Sequence, residues 1–214
     1  MKRLRAAARP TALVLLLGVT LAAAVAARAD DALGGLPSLP SGAVRVFLVR
    51  HGQALSNLDP APSLPPAELD HLTPLGERQA EAAGRALAGR GIAFVLASPA
   101  ARARETAEDL SRELALSPPA VESRLRPKEP GESVAVVGDR VDHLVRALAR
   151  SRRGTGVVLV THGEVLAAYL DRFRGAGAAP RDAKGLATGS ITVVDVAPTG
   201  RATVSLENHR PAVP

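Results

Sequence analysis

The stretch AVRVFLVRHG, Ala43–Gly52, runs a short β-rich segment straight into an Arg-His-Gly triplet. VVLVTHG, Val157–Gly163, repeats the arrangement with a second histidine and a second glycine. Short, near-continuous apolar runs of this kind have the character of strands covered on both faces, as parallel strands are. Ile92–Ala97 is a third such run, and it leads into Ser98-Pro99-Ala100-Ala101-Arg102. Ser190–Val196 and Thr203–Leu206 read as later strands placed towards a sheet edge.

Helical patterns lie between these runs. Thr73-Pro74 and Ser98-Pro99 each set a capping residue before a proline at the first helical position. The helix after Ser98 carries Ala103, Ala107, Leu110 and Leu114 on one face. A longer one, from about Ser133 to Arg150, carries Val134, Val137, Val141, Leu144, Val145 and Leu148 on its inner stripe, and a further helix begins near Glu164 and ends by Arg174. Alternating strands and helices predict an α/β fold: a three-layer sandwich with a mostly parallel central sheet and helices on both faces. The long irregular loop from Gln53 to Leu72 is a candidate lid.

In open α/β sheets, ligands bind beyond the carboxyl ends of the strands. Reading those ends brings His51, His162, Arg50 and Arg102 to one edge. That set suits phosphoryl transfer. A neutral imidazole can attack phosphorus and carry the group as phosphohistidine, and arginine forks hold the equatorial oxygens. Nearby cations favour the neutral form of His51, while a protonated His162 would add a third positive donor. The glycines after both histidines would let backbone amides approach the phosphate.

Composition narrows the alternatives. The 214 residues contain no cysteine, which excludes disulfides, thiolate chemistry and cysteine-ligated zinc. Aromatic residues make up 2% of the chain, too few for stacking on nucleic-acid bases. The net charge of +6 resides mostly in the first residues, where Lys2, Arg3, Arg5 and Arg9 precede an apolar run from Thr11 to Ala27 and an Ala27-Arg28-Ala29 cleavage pattern. This reads as a signal peptide over residues 1–29 for the general secretory route. It predicts a periplasmic or secreted protein without stable membrane insertion, or a membrane-anchored one if the segment stays uncleaved. Its five basic residues leave with it, and 22 basic then face 21 acidic residues. Net charge thus implies no nucleic-acid partner. Residues 30–42, rich in Gly, Pro and Ser, read as a flexible linker before a domain over residues 43–214.

VFLVRHGQALSN, with Asn57 seven residues after Arg50, resembles the opening motif of the histidine phosphatase superfamily, the phosphoglycerate mutase-like proteins. LTPLGERQAEAAGRAL and ASPAARARETAEDL are similar to that family's first two helices, the second supplying Arg102. GESVAVVGDRVDHLVRAL followed by VVLVTHGEVLAAYL resembles its third helix and second-histidine strand. The resemblance implies His51 as the phosphorylated nucleophile, with Arg50, Asn57, Arg102, His162 and Gly163 around the phosphate and no metal or other cofactor.

One part of the family pattern departs. Where many members carry a general-acid glutamate, this chain reads RLRPKEPGES, with Pro127 at the expected place and almost no insertion after it. Glu129, another carboxylate or water would then protonate the leaving oxygen, and a solvated carboxylate is the plainer reading of Glu129. Glu132 fits a structural or arginine-orienting role better. The expected function is an exported, metal-independent phosphatase acting on a phosphorylated small molecule or phosphoprotein. The alternatives are a non-catalytic phosphate-binding or anion-binding domain and a mutase-type phosphoryl transferase. Oligomeric state is not legible in the sequence.

Overall fold

β1, Val44–Arg50, occupies the middle of a mixed sheet because the side chains on both of its faces are apolar and buried. The computed structural model describes residues 32–175 and 178–214, so the signal-peptide reading of residues 1–29 falls outside the described residues. The other strands are β2 (Ile92–Ala97), β3 (Ala120–Val121), β4 (Gly156–Thr161), β5 (Ile191–Val196) and β6 (Ala202–His209), in the order β3-β2-β4-β1-β5-β6. The first four in that order run parallel, while β5 pairs antiparallel with both β1 and β6.

Helices cover both faces: α1 (Pro66–Leu69), α2 (Pro74–Leu87), α3 (Ala101–Glu113), α4 (Val134–Ser151) and α5 (Gly163–Leu170). Alternation along β1 sends Val44, Val46 and Leu48 into the layer beneath α4 and α5, and Phe47 and Val49 into the layer beneath α2 and α3. Each fully buried Val, Leu or Phe contributes about 1.5–3 kcal/mol by leaving water. The two apolar layers therefore hold the strand register that sets the height of the residues after each strand. Among the described residues no helix is long and apolar enough to cross a membrane.

Three local expectations change. Thr73 caps α2 by accepting from Gly76 N at 3.1 Å, but α3 begins at Ala101 with Ala100 as its cap, two residues later than the Ser98-Pro99 pattern predicts. The Ser98 hydroxyl is held by His162, and the Ala101 N–H finds its acceptor in Asp70 at 2.7 Å. The inner stripe of α4 starts at Val137, since Val134 and Val136 in its first turn are 51% and 52% exposed. Residues 32–42, expected as a flexible linker, are anchored to the domain. Leu33 is 2% exposed in the core, and Arg45 donates to Pro37 O at 2.7 Å. Their Gly, Pro and Ser content encodes turns here, because Leu33 buries enough apolar surface to fix them.

Candidate functional site

Strand pairing carries the two histidines to one level. Arg50 pairs with Thr161, His51 N donates to Thr161 O at 2.9 Å, and Ser98 N donates to Val160 O at 3.0 Å. His51, Ser98 and His162 thus leave three adjacent parallel strands side by side. Arg102 reaches them from the first turn of α3.

His51 Nδ1 lies 2.7 Å from its neighbour's carbonyl, Gly52 O. That contact requires a proton on Nδ1 and leaves the Nε2 lone pair as acceptor for Arg102 Nε at 3.1 Å. Arg102 Nη2 lies 3.0 Å from His162 Nδ1, so the opposite nitrogen of that ring, Nε2, donates to Ser98 Oγ at 2.7 Å. One guanidinium therefore bonds both imidazoles, whose centroids are 5.1 Å apart.

Burial, reinforced by the Arg102 charge and less strongly by Arg50, lowers the His51 pKa to about 3 against the opposing hydrogen bond to Gly52. His162 falls to about 2, first through burial and then through His51, Arg102, Arg140 and Arg50. Both rings are neutral near pH 7. In the protein alone His162 therefore adds no third positive charge, because burial and the facing arginines disfavour its protonation. The positive charge of the site rests on the arginines.

Arg50 points its Nη1 at Leu186 O and, at 3.5 Å, at Ala183 O. Its buried Nε has no hydrogen-bond partner among the described residues. A buried orphan donor is costly, and an anionic oxygen beside it would satisfy it. Gly163 permits this packing, since a Cβ there would lie 2.8 Å from Ala183 O and 3.2 Å from Arg50 Cζ. Gly52 has a different purpose from the expected amide contact to phosphate. Its N–H donates to Thr106 Oγ1 at 3.0 Å, and a Cβ on it would meet Gly76 O at 2.3 Å. The glycine lets the histidine loop close onto the start of α2.

Asp70 is a site residue that the sequence reading missed. One carboxylate oxygen accepts from Ala101 N and the other pairs with Arg102 Nη1, so it caps α3 and orients the fork together. Its partners are 31 and 32 residues away in sequence. The available signal was indirect: α3 opens on alanines with no capping side chain, which demands an acceptor from elsewhere. Asp70→Asn is expected to lower kcat about tenfold without raising KM, because misplacing a catalytic fork costs rate while loss of the negative charge does not weaken anion binding. Steady-state kinetics check both parameters.

Asn57 and Arg50 line one cavity of about 700 Å³, and Asn57 Oδ1 accepts from Ala54 N at 2.9 Å. Glu129 has no hydrogen bond to either histidine. Its side chain is 61% exposed and pairs with Arg126 Nε at 2.7 Å. Glu132 is held instead by Arg140 Nε at 3.0 Å and Arg126 Nη1 at 3.3 Å. The hydrogen bond from Arg140 is the main reason its pKa falls to about 2, which keeps it ionised and unable to donate a proton. Arg140 also donates to Arg126 O at 2.8 Å and to Pro127 O at 3.2 Å, pinning this short loop. Among the described residues, no cluster of three or more His, Cys, Asp or Glu could hold a metal ion.

A mycobacterial protein described as hydrolase 1 has a solved structure that is 25% identical and superposes with a TM-score of 0.63, over 78% of this chain and 98% of its own. Mycobacterial glucosyl-3-phosphoglycerate phosphatase in complex with VO3 is 24% identical with a TM-score of 0.63, over 77% of this chain and 98% of its own. A putative alpha-ribazole-5'-P phosphatase from Escherichia coli is 21% identical with a TM-score of 0.59, over 80% and 99%. No curated protein matches significantly. The model of the histidine phosphatase superfamily (branch 1) matches residues 46–127 and 120–209, so the six-stranded α/β domain with its paired histidines belongs to that superfamily.

Proposed function

We propose that this protein is an exported, metal-independent phosphatase that hydrolyses phosphoryl groups through a phosphohistidine on His51. The observation that carries the reading is the Arg102 guanidinium bonded at once to His51 Nε2 and His162 Nδ1. It supports a phosphoryl group seated between the rings, with Arg50 Nε and the Arg102 fork on its oxygens. In the first displacement Nε2 of neutral His51 attacks phosphorus, the ester P–O bond breaks, and its electron pair goes to the leaving oxygen. In the second, a water oxygen attacks phosphorus, the P–N bond breaks and inorganic phosphate departs. The chain's similarity to the mycobacterial and Escherichia coli phosphatases supports hydrolysis of phosphomonoesters. Export rests on the basic head, the apolar run and the Ala27-Arg28-Ala29 pattern.

Glu129 is turned to Arg126 and Glu132 is held ionised by Arg140 and Arg126, which supports water over either of these carboxylates as the proton source for the leaving oxygen. Lack of a positioned acid costs about 10²–10⁴ in rate unless the leaving group needs no proton. In buffer containing EDTA, kcat/KM for aryl phosphates with acidic phenols is expected to exceed that for alkyl phosphates by about that factor. Glu129→Ala is expected to leave both within about twofold. Phosphate binding with no turnover of either class would favour an anion-binding domain over an enzyme.

A further inference from the structure

The cavity that meets the histidine site at Arg50 and Asn57 has two further cations on its wall, Lys184 and Arg210. Many arginines elsewhere in the domain are matched to a carboxylate, as in Arg45–Asp195, Arg124–Glu122 and Arg140–Glu132. Lys184 and Arg210 have no carboxylate partner among the described residues, and Asp59 is the one acidic residue lining the cavity with them.

Both cations stand on backbone tied to the site. Lys184 lies in the 3₁₀ turn Ala183–Gly185, whose Ala183 O faces Arg50 Nη1. Arg210 directly follows His209, which pairs in register with Ile191 at the start of β5. Two exposed cations lining one cavity, beyond the charge that one phosphate needs, form an attractive field for a second anionic group. A cavity of about 700 Å³ also has room for more than a phosphate.

Resting on the proposed phosphatase reading, we propose that the substrate carries a second anionic group, carboxylate or phosphate, which Lys184 and Arg210 hold while its reacting phosphoryl group sits at His51. This selects doubly anionic small molecules over phosphate esters of neutral alcohols. Charge-assisted contacts of this kind discriminate because the neutral analogue leaves them unmade.

The test is calorimetric binding of phosphonates, which does not depend on turnover. Phosphonoacetate, longer ω-carboxyalkyl phosphonates and alkane bisphosphonates are compared with alkyl phosphonates of equal length, using wild type and the double variant Lys184→Gln, Arg210→Gln. At least one doubly anionic probe is expected to bind wild type about tenfold more tightly than its alkyl counterpart. The double variant should lose that preference while keeping alkyl phosphonate affinity within about twofold, which also reports that it is folded. Equal affinities in wild type, or equal loss for both probe classes, overturn the proposal. Absence of all phosphonate binding removes the anion site on which it rests. A binding preference without hydrolysis of any phosphate ester instead overturns the catalytic reading and leaves the second-anion site standing.

Discussion

Replacing His51 by alanine is expected to lower kcat/KM by about 10⁵ or more, since removal of a covalent nucleophile leaves only residual catalysis from the binding groups. The neutral ring has its Nδ1 proton committed to Gly52 O, so Nε2 is the only nitrogen able to attack. The same geometry sets the pH behaviour. Protonation would remove the lone pair, but burial and Arg102 hold the ring's pKa near 3, well below the usual value. The acid limb of kcat/KM, which reports groups on the uncomplexed enzyme, is thus expected to lie far below pH 6.5 for the ionised substrate. Activity is retained above the lowered pKa and lost as pH falls through it. A limb centred at the ordinary histidine value would mean that the His51 environment differs from the one described.

Arg102→Ala is expected to cost about 10³ in kcat/KM, more than the loss of an isolated surface arginine, because one planar fork spans both rings. Arg102→Lys is expected to recover less than a tenth of that loss. An ammonium point charge can contact either ring or an oxygen, but it lacks the fixed geometry that reaches His51 Nε2, His162 Nδ1 and the Asp70 carboxylate together. Stopped assays with an aryl phosphate measure both variants, and binding of a simple phosphonate separates lost affinity from lost rate. Full activity of the lysine variant would show that charge alone matters at this position.

Much of the site was legible because buried parallel strands have a plain signature. Their apolar runs end abruptly at Arg50-His51 and Thr161-His162, and the register Arg50 to Thr161 makes those ends neighbours. Arg102 was legible through its place just after the Ile92–Ala97 run. Contacts made across the fold were not. Asp70 looks like any loop carboxylate until topology lays it against the start of α3, and Ser98 looks like a helix cap until His162 claims its hydroxyl. Glu129 is the reverse case, since its exposed side chain agrees with the plainer reading of a solvated carboxylate. Proximity in sequence to the expected acid position made it a candidate, but Arg126, three residues away, offers the nearer charge. The two-residue strand β3 is too short to leave a periodic pattern at all.

Lys184 and Arg210 were equally silent in the sequence, one in a loop before β5 and the other just past β6. Only their shared cavity wall joins them to Arg50. The net charge of +6 resides mostly in the first residues, whereas Arg50, Lys184 and Arg210 form a local group of cations around one cavity.

The central claim is that His51 carries the phosphoryl group. It is tested most directly by rapid quenching in alkali during turnover of an aryl phosphate, followed by peptide mass spectrometry of the protein. The expected result is one acid-labile phosphoryl group on His51, absent from His51→Ala and retained in His162→Ala at a reduced rate. A phosphoryl group on any other residue, or full turnover in the His51→Ala protein, would contradict the account.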